Sequence, residues 1–164
     1  MRFIRSNGGV LQLAPAVVRL MQRHRQLAPQ DPEAGGILLG RLIRDGDGIV
    51  IDGGTTPSLS DRATRTTFFR GQEHTQRVVD WAWTASKGTL VYLGEWHTHP
   101  ENRPTPSMQD RRNWANIFWE AEFEHAFLVF FIVGRQEIRC WEVRPAGRDR
   151  RDLRFTRLTG DTPS

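Results

Sequence analysis

Cysteine and lysine are almost missing from this chain: Cys140 and Lys87 are the only ones among 164 residues. A lone cysteine excludes an internal disulfide framework and a zinc cage built on thiolates. Long apolar runs are missing too. The longest, "AFLVFFIVG", has strand length and falls far short of the ~20 residues that span a bilayer as a helix, so no membrane partner is expected. The opening "MRFIRSNGGV" has neither the apolar stretch nor the small-residue cleavage site of a secretory signal, and the cytoplasm is the expected location. Repeats and internal linkers are absent. What is present is 38% hydrophobic residues with six Trp and nine Phe, enough at this length for one folded core.

Positive charge exceeds negative by four, 23 Lys plus Arg against 19 Asp plus Glu, and all but one of the cations are arginine. The arginines are scattered. Their one dense cluster, "RPAGRDRRDLR" over 144–154, is broken by aspartates. A nucleic-acid surface needs a coherent basic stripe with aromatic platforms. This cluster reads instead as a solvated tail, and nucleic acid is not an expected partner.

Periodicity alternates between the two regular types. "VLQLAPAVVRLMQRHRQLAP" begins as a short strand and turns helical from Pro15, with Val17, Val18, Leu20 and Met21 on one side. "GGILLGRLIRDGDGIVIDGG" predicts two strands joined by a hairpin, since Asp45-Gly46 and Asp47-Gly48 supply the positive φ of a tight reversal. "TRTTFFR" is a further strand candidate. "EHTQRVVDWAWTASKG" has helical spacing and ends at Gly88, a natural C-cap. "TLVYLGEWHTH" is β-rich, "SMQDRRNWANIFWEAE" helical, and "AFLVFFIVG" with "EIRCWEVR" an antiparallel pair turning near Gly134. "LRFTRL" adds at most an edge strand. The order predicts one mixed α/β layer structure.

Chemistry concentrates in "HTHPENRPTPSMQD", residues 97–110. On a strand, His97 and His99 project to one face and Thr98 to the other. Ser107 and Asp110, three apart at a helix start, share one side of its first turn. The proline-rich loop between the pairs folds Asp110 back toward the histidines with little entropy left to lose. Two imidazoles and a carboxylate, with a fourth position open to water, are a catalytic zinc ligand set. A plainer reading, that Ser107 and Asp110 only cap a helix, accounts for those two residues alone and is compatible with the first. The joint spacing arises by chance in on the order of one chain per thousand of this length. Upstream, Glu33 precedes a glycine pair and an apolar strand; by itself it would read as a surface glutamate.

Taken together, Glu33 before "GGILLG", then His97-Thr98-His99, seven residues, Ser107, two residues and Asp110, resembles the signature of the JAMM (JAB/MPN+) zinc metallopeptidases. The motif spans 33–110, and the element order is compatible from about residue 10 to 145. The resemblance implies a single cytidine-deaminase-like JAB/MPN domain over 1–164, with a central mixed β-sheet flanked by helices and a polar, Arg-rich tail over 146–164. It implies one Zn2+ per chain held by His97, His99 and Asp110. Glu33 would be the general acid/base and Ser107 the support for the oxyanion. "YLGEWHTHPENRPTPSMQD", with "FFRGQEHTQRVVDW" before it and "RRNW" after it, is most similar to the stand-alone bacterial JAB peptidases of CBASS antiphage operons. That likeness implies deconjugation: hydrolysis of an amide at the C-terminus of a ubiquitin-like protein or of a conjugated target, with a cGAS-like nucleotidyltransferase as a candidate partner.

Two other functional classes fit the sequence less well. A catalytically silent MPN-type scaffold usually lacks ligands, and this chain lacks none of the five. A nucleobase deaminase requires H-x-E together with P-C-x-x-C, and that joint signature is absent, since Cys140 stands alone. Glu95 shares the face of His97 and His99 and is either an outer partner of the zinc or a satisfied sheet residue. Glu101 and Arg103 lie in the loop over the site, as substrate contacts or as ordinary solvent-facing residues. His24, His74 and His125 have no ligand spacing. Cys140 reads as a buried small hydrophobe. Trp96 and Trp114 read as core residues first and as walls of the pocket second.

Overall fold

The computed structural model describes residues 1–43, 48–147 and 152–160. Its elements are β1 (Arg2–Ile4), β2 (Val10–Leu13), α1 (Pro15–Gln22), β3 (Gly35–Leu42), β4 (Ile49–Gly54), β5 (Arg62–Ala63), β6 (Phe68–Phe69), α2 (Gln72–Ala85), β7 (Val91–Thr98), α3 (Met108–Glu120), β8 (Leu128–Val133), β9 (Ile138–Pro145) and β10 (Leu153–Gly160).

The apolar run "LVFFIV" is β8, and every one of its residues is buried. Its alternation serves two cores. Val129, Phe131 and Val133 join Leu11, Leu13, Ile51 and the α1 residues Val17 and Met21. Leu128, Phe130 and Ile132 join Trp114 and Phe118 of α3 and Ala82 of α2. Withdrawing each such side chain from water contributes about 1.5–3 kcal/mol, which is why a strand covered on both faces is apolar throughout.

β7 and β8 run parallel, from Gly94↔Val129 to Thr98↔Val133, with α3 as the crossover between them. β2 and β4 are also parallel, while β3 is antiparallel to both β4 and β7. The expected mixed sheet with helices is therefore present. Its edges, however, meet: the order β1-β10-β9-β8-β7-β3-β4-β2 closes into a barrel. Closure runs through β1, "RFI", a strand too short to announce itself by periodicity. Phe3 pairs with Leu11 on one side and Gly160 on the other. The segment expected to give at most an edge strand is β10, hydrogen-bonded to both β9 and β1. The closure is narrow: β1 meets β10 only at Thr159 and Gly160. Beside the closure, Arg5 donates from Nε to Glu142 of β9 at 2.8 Å, a pair with side chains only 3% and 0% exposed, and its guanidinium lies 4.1 Å from the Phe127 ring centre.

The hairpin of β3 and β4 forms as expected, with Ile43 N–H donating to Gly48 O at 3.0 Å. Asp45, Gly46 and Asp47, expected to reverse it, lie outside the described residues. "TRTTFFR" contributes only Phe68–Phe69, paired with Arg62–Ala63. α2 ends at Ala85 with Ser86 as its C-cap, short of the expected Gly88: Lys87 takes the positive φ, 54°, and Gly88 N–H then reaches back to Trp83 O at 2.8 Å.

One irregularity in β7 positions the site. Leu38 opposes Gly94 but Leu39 opposes Tyr92, so Leu93 is an extra residue. Gly94 has φ 140°, and a Cβ there would sit 1.8 Å from Val129 O. This bulge resets the alternation. Beyond it, Glu95, His97 and His99 face the α3 side, while Trp96 and Thr98 face the other, where Trp96 Nε1 donates to Thr55 O at 3.0 Å.

Candidate metal centre

His97 and His99 stand at the carboxyl end of β7, where the chain leaves a parallel strand for its crossover helix. Loops at such ends are the usual place for a site in a mixed sheet. The chain from 100 to 106 is held against the β8–β9 turn. Arg135 N–H donates to Glu101 O at 2.7 Å, Glu137 N–H to Asn102 O at 3.1 Å, and an Arg139 guanidinium nitrogen to Pro104 O at 3.2 Å. Gly134 permits this contact, since a Cβ there would lie 2.5 Å from Pro104 Cδ. The loop then delivers Ser107 as the N-cap of α3. Ser107 N–H and Oγ–H both donate to Asp110 Oδ2 at 2.6 Å, and Asp110 N–H returns a bond to Ser107 Oγ at 3.1 Å. The capping reading is realised and leaves room for the ligand reading: the box that starts the helix also fixes the Asp110 carboxylate.

Three donor groups converge. His97 Nε2 and His99 Nε2 are 3.0 Å apart. Asp110 Oδ1 lies 3.3 Å from the first and Oδ2 3.4 Å from the second. A tetrahedral ion with ligand arms of about 2.0–2.1 Å has edges of about 3.3–3.4 Å; these separations lie close to that range, each imidazole facing its own oxygen of the carboxylate. His97, His99 and Asp110 can therefore hold a metal. Trp114, buried, sets its ring against His97 at a centroid distance of 6.3 Å and stacks on Phe130 at 4.8 Å, so the histidine edge rests on the core.

Glu33 arrives from far along the sequence. Its N–H donates to Thr64 O at 2.7 Å, its side chain is buried, and its Oε1 lies 3.9 Å from His99 Nε2. Burial raises its carboxyl to about 7, with the Asp110 charge adding to the rise and His99 opposing it. Burial would also raise Asp110, but hydrogen bonds from His97, His99 and Ser107 outweigh it and hold that carboxyl well below the ordinary range. His99 is raised above a free imidazole: burial opposes the shift, and the hydrogen bond and charge of Asp110, with Glu33 and Glu101, overcome it. Two carboxyls in one site thus have opposite tendencies, one kept as an anion and one able to carry a proton near neutrality.

A cleft of about 230 Å³ opens beside the cluster, lined among others by Glu33, His97, Ser107, Asp110, Trp114 and Arg70. All five signature residues are brought together. Glu95 lines the same cleft, where its carboxylate accepts from the Arg70 guanidinium and from Tyr92 Oη at 3.1 Å. The satisfied reading has the support: its carboxylate is bonded to Arg70 and Tyr92 while it faces the cleft. Glu101 and Arg103 do not line the cleft. Glu101 caps Thr105 N–H at 2.9 Å, and Arg103 pairs with Glu137 at 2.9 Å, so both brace the loop. Trp96 and Cys140 are buried, as expected. Arg70 went unnoticed in the sequence because an arginine before a helix carries no spacing signal.

The chain was compared with known proteins. A family model described as prokaryotic homologs of the JAB domain matches residues 14–144. A Pseudomonas aeruginosa protein named CD-NTase/cGAS isopeptidase is 35% identical over 132 residues, covering 80% of this chain and 82% of its own. A Vibrio cholerae protein of the same name is 38% identical over 128 residues, 78% of each chain. Among solved structures, a Desulfitobacterium hafniense protein determined in solution superposes with a TM-score of 0.55 at 25% identity, over 89% of both chains.

Proposed function

Since the chain belongs to the family of prokaryotic homologs of the JAB domain, we propose that it is a zinc-dependent isopeptidase. Its reaction is hydrolysis of an amide at the C-terminus of a ubiquitin-like protein or of a target conjugated to one, in the cytoplasm. The relatives' shared name, CD-NTase/cGAS isopeptidase, supports a cGAS-like nucleotidyltransferase as the conjugated partner and deconjugation in antiphage defence as the role. We read the whole chain as one JAB/MPN domain of the cytidine-deaminase-like type, with β1 and β10 closing its sheet.

One observation carries the reading: three ligating atoms converge within 4.8 Å, with a proton-carrying carboxylate 3.9 Å from one of them, beside an open cleft. His97, His99 and Asp110 would hold one Zn2+ per chain. When bound, the ion supplies Lewis-acid polarisation and lowers the pKa of water toward ~7. Glu33 takes the proton of the attacking water and returns it to the leaving amine, a task suited to a carboxyl titrating near neutrality. Ser107 turns its hydroxyl from Asp110 toward the cleft and donates to the developing oxyanion, a bond typically worth ~3 kcal/mol. Trp114 and the buried faces of the histidines keep bulk water from the ligands.

The test is incubation with ubiquitin-like fusions or conjugates encoded beside the gene, with and without chelator. Expected are cleavage that chelator stops and zinc restores, and a Glu33→Ala variant that keeps metal but cleaves ~10²–10⁴-fold more slowly. Cleavage by Glu33→Ala at the unmodified rate, or indifference to chelator, overturns the reading.

A further inference from the structure

We propose that Gln26 and Thr98 form a strut that positions Glu33 against the histidine pair, making them positioning residues for the hydrolysis proposed above, on which this inference rests.

Gln26 is 1% exposed, unusual burial for an uncharged polar side chain of its length. Its amide has partners on both ends. Nε2 donates to Asp31 O at 3.0 Å and to Arg65 O at 2.8 Å, and Oε1 accepts from Thr98 Oγ1 at 3.2 Å. With its proton committed to Gln26, the Thr98 hydroxyl presents a lone pair, which accepts from Ala34 N–H at 2.9 Å. Thr98 N–H in turn donates to Ala34 O at 2.8 Å. Ala34 is therefore pinned through both of its backbone groups to the residue that separates His97 from His99. Glu33 lies between that pin and its own N–H bond to Thr64 O at 2.7 Å. The backbone of Gln26 is anchored as well, by Arg135 Nε donating to its carbonyl at 3.0 Å.

The chemistry needs this. A general acid/base displaced by about 1 Å from its reacting atom loses on the order of 100-fold in rate, and Glu33 comes from a segment without regular structure between α1 and β3. Hydrogen bonds to buried partners supply the rigidity that a helix or strand would otherwise give. The strut reaches Glu33 from the face of β7 opposite the ligands, so it adjusts the acid/base without touching the ion.

The test compares Thr98→Val, which keeps shape and removes the hydroxyl, with Thr98→Ser, which restores it, and with Gln26→Leu. For each, zinc affinity is measured by chelator competition, kcat and KM on the operon's conjugate, and amide exchange at Glu33 and Ala34. Expected for Thr98→Val are zinc affinity within about 2-fold, KM within about 3-fold, kcat lower by about 10- to 100-fold, and faster exchange at Ala34. Thr98→Ser returns kcat to within about 3-fold, and on a Glu33→Ala background Thr98→Val has no further effect. Unchanged kcat in Thr98→Val, or zinc affinity falling in step with kcat, overturns the strut. If no chain cleaves any conjugate, the isopeptidase reading fails by itself, and the strut is then judged by exchange: unchanged protection of Ala34 in both Thr98→Val and Gln26→Leu rejects it.

Discussion

The proposed ligand half of the centre and the proposed acid/base half are built in opposite ways. His97, His99, Ser107 and Asp110 fall within fourteen consecutive residues, at the junction of a parallel strand and its crossover helix. Strand alternation aligns the histidines, a braced loop sets the distance, and a capping box orients the carboxylate. Glu33 comes from a remote segment, held by its own N–H bond to Thr64 and by the two bonds of its neighbour Ala34 to Thr98. In the proposed function, holding the ion would be a local property of one βα junction, and turning over substrate would depend on how two distant parts of the chain meet.

Single substitutions separate the halves. The largest effects come from the residues themselves. His97→Ala loses both bound zinc and hydrolysis, whereas Glu33→Ala retains about one zinc per chain by metal analysis while kcat falls ~10²–10⁴-fold; equal zinc loss in both would erase the distinction. Ser107→Ala is next. It belongs to the ligand half yet faces the cleft, so kcat falls ~10²-fold or more and urea unfolding shows about 1 kcal/mol of lost capping. Gly134→Val strikes only the ligand half, since its Cβ would push into Pro104 and the carbonyls of Glu101 and Asn102. Overpacking of this kind costs about 1–3 kcal/mol, read as weaker zinc affinity in chelator competition with amide exchange at Ala34 unchanged.

The smallest expected effect belongs to neither half and serves as the control. His125 lies between the rings of Phe123 and Phe127, at 5.0 and 4.7 Å. Burial, with the Arg5 charge adding to it, lowers its pKa to about 4. Because the folded state disfavours the proton, the unfolded chain binds more protons between its ordinary value near 6.5 and about 4. Stability is then complete above the upper value and declines as pH falls through this window. With allowance for partial exposure the loss is ~1–2 kcal/mol. Urea midpoints at pH 7, 6 and 5 measure it, and His125→Phe flattens that slope.

Legibility in the sequence followed the same division. The ligand half could be read because its information is short-range: two-residue alternation, a proline-stiffened loop and a cap signal all sit in one stretch. Glu33 was found through its place in a family signature; its own neighbourhood gave no chemical reason. Gln26 and Arg70 were not found, because a polar residue buried by tertiary contacts looks the same in sequence as one left in water. The strands themselves could be read where apolar runs were long, as at Gly35–Leu42 and Leu128–Val133. Closure of the sheet did not, since it rests on a three-residue strand whose partners are remote.

The glycine bulge in β7 bears on any attempt to transplant this centre. A designer who grafted only the two imidazoles and their proline loop onto a regular strand would inherit the host's unbroken rhythm. Tyr92, which lies before the slip, and Glu95, which lies after it, would then point to opposite sides, and the phenol could no longer reach the carboxylate. The portable unit begins at Tyr92, and Gly94 travels with it as the hinge of its phase.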